Sequence, residues 1–291
     1  MKIATAAYPL DVLTSEAQYE DKIAAWVAEA AQAGASLLVF PEYAAMELAT
    51  LDGPEVAGDL EKSLWAVAAR LPQADALHQR LAAEHGVHIV AGSGPARTDT
   101  RPVNRARLIT PTGQIGQQDK QIMTRFEAEI WDVIPGNMLQ VFDTALGKIG
   151  ILICYDSEFP LLGRALSACD VICVPSVTEA QSGYWRVRIG AQARALEQQC
   201  ITAMASVVGD ADWSEALGTS HGTGGVFAPP DIGFPQTGVL ALGQMNTPGW
   251  TYAEVDLAQV AHVRQDGVVL NRSHWAGQVG RDAAALPVRL R

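Results

Sequence analysis

The sequence is poor in several features that mark whole classes of protein. It holds only four cysteines in 291 residues, and no two form a CxxC pair. That excludes a disulfide framework and a zinc knuckle. Its six histidines form no HExxH and no paired cluster, so no metal is expected. Lys and Arg number 21 against 32 Asp and Glu, a formal charge of −11, with no run of cations. Such a chain lacks the clustered positive charge that nucleic acid or an anionic membrane surface requires. No apolar run approaches the ~20 residues of a membrane span. The opening "MKIATAAYPL" enters a strand pattern without the apolar core of a secretory signal, so the expected location is cytoplasmic. Repeats, low-complexity segments and flexible linkers are missing too, which points to a single domain.

What is present is an alternation of buried strands and amphipathic helices. "KIATAA" (2–7) and "SLLVFP" (36–41) read as strands flanking a helix. Ser15 and Gln18 have the spacing of a capping box at its start, and Gly34 stands at its C-cap. Tyr19, Ile23, Trp26, Val27 and Ala30 recur along that helix at helical spacing. A second amphipathic stretch over 60–84 leads into a strand at 86–94. Residues 104–121 read as a hairpin around "PTG". A strand ending at Cys154, a short helix near 160–168, a strand at 170–176, a helix over 186–199 and a strand at 200–209 follow. Beyond 220 the chain is β-rich, and residues from "NRSHWAG" (271) onward read as an irregular tail. The pattern fits an α/β fold of two sheets sandwiched between helix layers.

"GKIGILICYDSEFP" (147–160) turns abruptly polar at Cys154, where α/β folds keep their chemistry. Acyl transfer through a thiol needs a base, a stabilised oxyanion and a proton for the leaving amine. None of His78, His85, His88, His221, His262 and His274 stands where a base is needed. A carboxylate, an ammonium and a thiol instead each follow a strand: Glu42, Lys120 and Cys154.

"LLVFPEY" (37–43), "DKQIMTRFEAEIW" (119–131) and "GILICYDSEFP" (150–160) resemble, in order and spacing, the three signature blocks of the nitrilase superfamily of carbon–nitrogen hydrolases. "AQARALEQQ" (191–199) is similar to that family's helix after the nucleophile, and the resemblance covers residues 1 to about 270. It implies a four-layer α-β-β-α sandwich of two mixed β-sheets over 1–270, no cofactor, and a small-molecule amide substrate. It also implies that Glu42 is the general base, that Lys120 stabilises the oxyanion with the Tyr155 N–H, and that Cys154 is the nucleophile. Glu127 resembles the family's second glutamate, which orients the lysine and substrate, with Glu129 as the competing assignment. A nearby ammonium would favour the thiolate.

The "CYD" run looks like the amidase branches, so hydrolysis of a linear amide is expected. An N-carbamoyl hydrolase, a nitrilase and a non-catalytic scaffold of the same fold are the alternatives. Ser157 and Glu158 stand where many relatives have an arginine nearby, which weakens a dicarboxylic monoamide as substrate. Tyr184, Trp185, Arg188 and Glu158 are candidates for the substrate pocket, and Arg186 or Arg188 could anchor a carboxylate. "GTSHG" (218–222) matches the GxSxG elbow but lacks its strand and helix flanks, and reads as a loop near the site's rim. Cys169, Cys173 and Cys200 read as structural. Such enzymes pair across a helix face, so a homodimer or larger homo-oligomer is expected, with the tail (271–291) reaching a neighbouring subunit.

Overall fold

The structure, a computed structural model, describes residues 1–281 and 283–290. It opens with a strand–helix–strand unit in which α1 (Glu16–Gln32) joins β1 (Lys2–Tyr8) to β2 (Leu37–Val39). The Ser15 hydroxyl caps α1 by accepting from Gln18 N. The other half of the expected capping box is displaced by one residue, since Gln18 Oε1 accepts from Thr14 N at 2.7 Å. Tyr19, Ile23, Val27 and Ala30 form the buried face of α1.

α2 (Pro54–Ala57) and α3 (Leu60–His85) lead to β3 (His88–Ala96) and the hairpin of β4 (Val103–Ile109) and β5 (Ile115–Asp119). Gly113 in that turn adopts φ +79°, a left-handed conformation that suits glycine. Next come α4 (Arg125–Glu129), β6 (Phe142–Thr144), β7 (Gly147–Ile151), α5 (Pro160–Ala165) and β8 (Val171–Ser176). After them run α6 (Gln181–Gln198), β9 (Ile201–Val207) and the pair β10 (Gly209–Ala211) and β11 (Gly218–Ser220). The chain ends through β12 (Gly225–Phe227), β13 (Val239–Leu242), β14 (Gly249–Glu254), α7 (Leu257–Asp266) and α8 (Asn271–His274).

Several elements differ from the sequence reading. β7 stops at Ile151, so Cys154 lies beyond the strand, at the start of a 3₁₀ turn. α6 begins at Gln181 rather than 186; no side chain caps its start, so no polar signal marked the boundary. α7 was not anticipated, although Asp256 caps it through Ala258 N and Val260 and Val263 are buried at helical spacing. Part of the expected irregular tail is likewise helical, in α8 and a 3₁₀ turn at Trp275–Gln278.

Twelve of the strands form one mixed sheet whose main path runs β5-β4-β3-β2-β1-β9-β8-β7-β6. β1, β2 and β3 are parallel, as are β7, β8 and β9. The β1–β9 ladder that joins the two halves of this path is short, with Ala7 and Tyr8 paired to Ser206 and Val207. The sequence led to two sheets; the ends of β1 and β9 approach closely enough to hydrogen-bond them into one. Side chains along β1 and β2 alternate between two apolar clusters, as a pleated strand requires. Ala4, Leu38 and Phe40 face α1 and α3, whereas Ile3, Leu37 and Val39 pack with Ile149, Ile151 and Val171 of the other half. Because β5 runs in the same direction as β3, the carboxyl ends of β2, β5, β7 and β8 all open toward one place.

Candidate active site

Glu42 follows β2 through Pro41, Lys120 follows β5, Cys154 follows β7 and Val177 follows β8. Their side chains or backbone converge on a cavity of about 270 Å³. That is just below the ~300–1,000 Å³ of typical ligand pockets, so it suits a small molecule. Lys120 Nζ donates to Glu42 Oε1 at 2.7 Å and to Glu127 Oε2 at 2.6 Å. Asn104 on β4 bridges both carboxylates, its Nδ2 lying 3.0 Å from Glu42 Oε1 and 3.3 Å from Glu127 Oε1. Glu42 Oε2 accepts from Val177 N at 3.1 Å, and Tyr43 Oη donates to Glu127 Oε1 at 2.9 Å.

Glu127 is placed by its own local structure. It is the third residue of a capping box in which its Oε2 accepts from Thr124 N while Thr124 Oγ1 accepts from Glu127 N. Glu129 instead pairs with Arg125 on the exposed side of α4. Of the two carboxylates left open by the sequence, Glu127 is the one in the cavity.

The segment after Cys154 is clamped from several sides. The Asp156 carboxylate accepts from the N–H groups of Gln121, Ile122 and Ile153, tying the loop after Lys120 to the loop at Cys154. Ser157 Oγ donates to Cys154 O at 2.7 Å, and Arg194 on α6 donates to Ser157 O at 3.0 Å. Gly190 lets α6 lie against this segment, since a Cβ there would come within 2.8 Å of Ser157 O. Cys154 is thereby held at φ +48°, and Tyr43, whose N–H donates to Ser93 Oγ at 3.0 Å, stands at φ +55°. Left-handed residues other than glycine cost about 1–3 kcal/mol and persist where surrounding contacts over-determine them. The Tyr155 N–H makes no hydrogen bond among the described residues.

The electrostatics follow from burial. Cys154 is 5% exposed, and its Sγ lies 3.6 Å from Val177 O. Burial first, and the adjacent Glu42 second, push its pKa well above the ordinary thiol value, outweighing Lys120. This balance disfavours the thiolate, against the expectation that the nearby ammonium would favour it. Burial also raises Glu42, as does the charge of Glu127, against the pull of Lys120. Burial acts upward on Glu127 as well, but the Lys120 charge and the bonds from Lys120, Thr124 and Tyr43 hold it below the usual range. Lys120 is raised, because the two carboxylates outweigh its own desolvation.

The wall around this centre departs from the sequence reading. Tyr184, Trp185 and Arg188 do not line the cavity; Ser182, Gly183, Arg186 and Val187 do. The cause is helical periodicity: α6 already winds from Gln181, so residues 182, 183, 186 and 187 share the inward face. Trp185 points outward with Arg188 stacked on it, Arg188 Cζ 4.8 Å from the ring centroid. Glu158 does line the cavity and faces Arg186, at 3.4 Å. Of Arg186 and Arg188, only Arg186 reaches the pocket. Ser220 of "GTSHG" lies in β11 outside the lining, which includes Ala216 and Leu217 just before the motif.

Asn104, Tyr43 and Thr124 escaped the sequence reading. Asn104 had a signal, because it precedes Ala106 and Leu108 at strand spacing as the one polar member of a buried series. Thr124 had one as well, in the T-x-x-E spacing to Glu127. Among the described residues no group of His, Cys, Asp or Glu is arranged to hold a metal, and no helix is long and apolar enough to cross a membrane.

The chain resembles known proteins in sequence and in fold. It is 30% identical over 275 residues to the probable hydrolase YhcX of Bacillus subtilis, covering 92% of this chain and 52% of that protein. It is 31% identical over 151 residues to the deaminated glutathione amidase of Yersinia enterocolitica, covering 45% of this chain and 51% of the other. The chain thus spans about half the length of these two relatives. To omega-amidase NIT2-B of Xenopus laevis it is 26% identical, with 82% and 83% covered. In fold it is similar to Saccharomyces cerevisiae Nit3, of the nitrilase superfamily (TM-score 0.71, 20% identity, 91% and 93% covered). The NitN amidase of a Nesterenkonia species is likewise similar (TM-score 0.65, 23% identity, 91% and 96% covered). The carbon–nitrogen hydrolase family model matches residues 2–265. This chain belongs to the carbon–nitrogen hydrolase family.

Proposed function

We propose that this protein hydrolyses the C–N bond of a small linear amide through a thioester on Cys154. The observation that carries the reading is one ammonium, Lys120, held by two buried carboxylates beside a clamped thiol in a small cavity. The Cys154 proton passes to Glu42 as Sγ attacks the amide carbon, since burial and the Glu42 charge disfavour a free thiolate. The oxyanion is met by Lys120 Nζ and the Tyr155 N–H. Such a donor contributes roughly 10²–10³-fold. Glu42 returns the proton to the leaving nitrogen, the C–N bond breaks and ammonia or an amine departs. A water then gives Glu42 a proton as it attacks the thioester. The C–S bond breaks, the carboxylate leaves and the proton returns to the thiol. Each proton transfer of this kind contributes roughly 10²–10⁴-fold. Glu127, fixed by its capping box, orients Lys120.

The wider architecture fits this reading. The division of β1 and β2 side chains between two cores supports a four-layer α-β-β-α sandwich over residues 1–270. Trp185, Ile189 and Leu196 form an outward apolar stripe on α6, 45%, 63% and 38% exposed, which supports pairing of two copies across that helix. The test is ammonia release from a panel of amides, N-carbamoyl compounds and nitriles. Turnover of amides, abolished in Cys154→Ala, is the expected result. Turnover of nitriles alone would reject the amidase reading, and full activity in Cys154→Ala would reject the thioester.

A further inference from the structure

At the opposite end of β8 from Val177, roughly 20 Å away by strand rise, the surface holds a second indentation of about 190 Å³. It is lined by Arg164, Ser167, Arg264, Arg272 and Ser273, with no carboxylate in its wall among the described residues. The residues come from α5 and the turn after it, α7 and α8, elements distant in sequence that the fold brings together. In a chain of net charge −11, three guanidinium groups facing one hollow are an uncommon concentration of positive charge.

Their hydrogen bonds divide unequally. Arg264 is the most engaged, making three bonds, to Asp170 and to the carbonyls of Gln199 and Cys169. Arg164 makes one bond, to Arg272 O at 3.2 Å, and Arg272 makes one through its side chain, to Ser167 O at 2.8 Å. Most of the five N–H donors of each of those two guanidinium groups therefore lack an acceptor among the described residues. Arg164 is stiffened by Trp275, whose ring centroid lies 5.1 Å from its Cζ. Burial, then the charges of Arg264 and Arg164, hold Arg272 below its ordinary pKa. The cluster is thus self-repelling as it stands, and among the described residues the carboxylate of Asp170 offsets one of three positive charges.

We infer that this hollow binds a tetrahedral oxyanion of charge −2, phosphate or the phosphate group of a monoester. Three positive charges less one leave two to be met, which matches a dianion better than a single carboxylate. Arginine forks bind such oxygens bidentately, and the Ser167 hydroxyl supplies a neutral donor at the rim. Arg272 and Ser273 belong to the 271–278 segment, so a bound anion would fasten that segment to α5 and α7.

The test is calorimetric titration of the full chain with inorganic phosphate in a chloride buffer. It does not depend on the amidase reading, and Cys154→Ala protein serves equally well. One saturable site per chain is expected, weakened about 10- to 100-fold in Arg272→Gln and in Arg164→Gln. Arg164→Gln is the safer variant, because Arg272 also holds the Ser167 carbonyl. Both variants are first checked for wild-type unfolding temperature in the absence of phosphate. Methyl phosphate binding more tightly than inorganic phosphate would assign the site to an ester, and the reverse to the free ion. No saturable binding to the wild type, equal affinity in both variants, or acetate competing as well as phosphate would each overturn the assignment.

Discussion

Two lysines in this molecule have almost the same surroundings. Lys22 on α1 meets two carboxylates, Glu47 at 2.6 Å and Asp11 at 2.7 Å, and a tyrosine, Tyr8, donates to the same Glu47. Lys120 also meets two carboxylates, Glu42 and Glu127, and Tyr43 donates to that Glu127. The difference lies in the number of oxygens around the ammonium. Lys22 also donates to Pro9 O at 2.7 Å, so three oxygens surround its charge. Lys120 has two acceptors among the described residues, and the remaining N–H has none. One cluster is closed and structural. The other is one bond short beside a cavity and a thiol, and an unmade bond is what an oxyanion can complete.

Replacing each lysine by methionine tests that comparison hardest. Lys120→Met should lower kcat/KM at least roughly 10²–10³-fold, the loss that follows removal of one oxyanion donor. Lys22→Met should leave the folded enzyme within a few-fold of wild type. Both should lose stability in denaturant titration, about 3–5 kcal/mol where one partner of a buried pair is removed. Lys22→Met belongs at the lower end, because Asp11 is more than half exposed. A large kinetic loss in Lys22→Met would break the comparison.

The two tyrosines sharpen it. Tyr43→Phe removes a bond from Glu127 and should reduce kcat/KM about 10-fold, equivalent to about 1.4 kcal/mol of positioning. Tyr8→Phe leaves Glu47 Oε1 without its donor and should cost about 1–3 kcal/mol of stability, with kcat/KM unchanged.

The smallest effect expected is in the pH profile. Glu42 must be ionised to accept the thiol proton, and its pKa is raised by burial and by Glu127. The acid limb of kcat/KM should therefore lie above the ordinary glutamate range. Glu127→Gln removes one of the charges that raise it, so the limb of the residual activity should move to lower pH. A shift upward would contradict this account of the site's electrostatics.

The sequence showed some of this centre and hid the rest for physical reasons. Glu42, Lys120 and Cys154 each follow a β-branched or alternating run, where chemistry in α/β folds collects, but they were legible through the resemblance of their three blocks to the nitrilase superfamily. Glu127 was legible through the spacing of its block, although only the capping box with Thr124 separates it from Glu129. The substrate wall was not legible. Tyr184 and Trp185 read as lying ahead of a helix that starts at 186, but α6 already winds from Gln181, and its period of about 3.6 residues turns 182, 183, 186 and 187 inward instead. The join between β1 and β9 was hidden as well, because two residue pairs of register leave no composition signal.

The most direct test of the central claim is the intact mass of the enzyme, quenched in acid during its first turnover of an amide. The account predicts a mass increase equal to the acyl fragment, located by peptide mapping on Cys154 and missing from Cys154→Ala. An adduct on another residue, or ammonia release by Cys154→Ala at the wild-type rate, would contradict it.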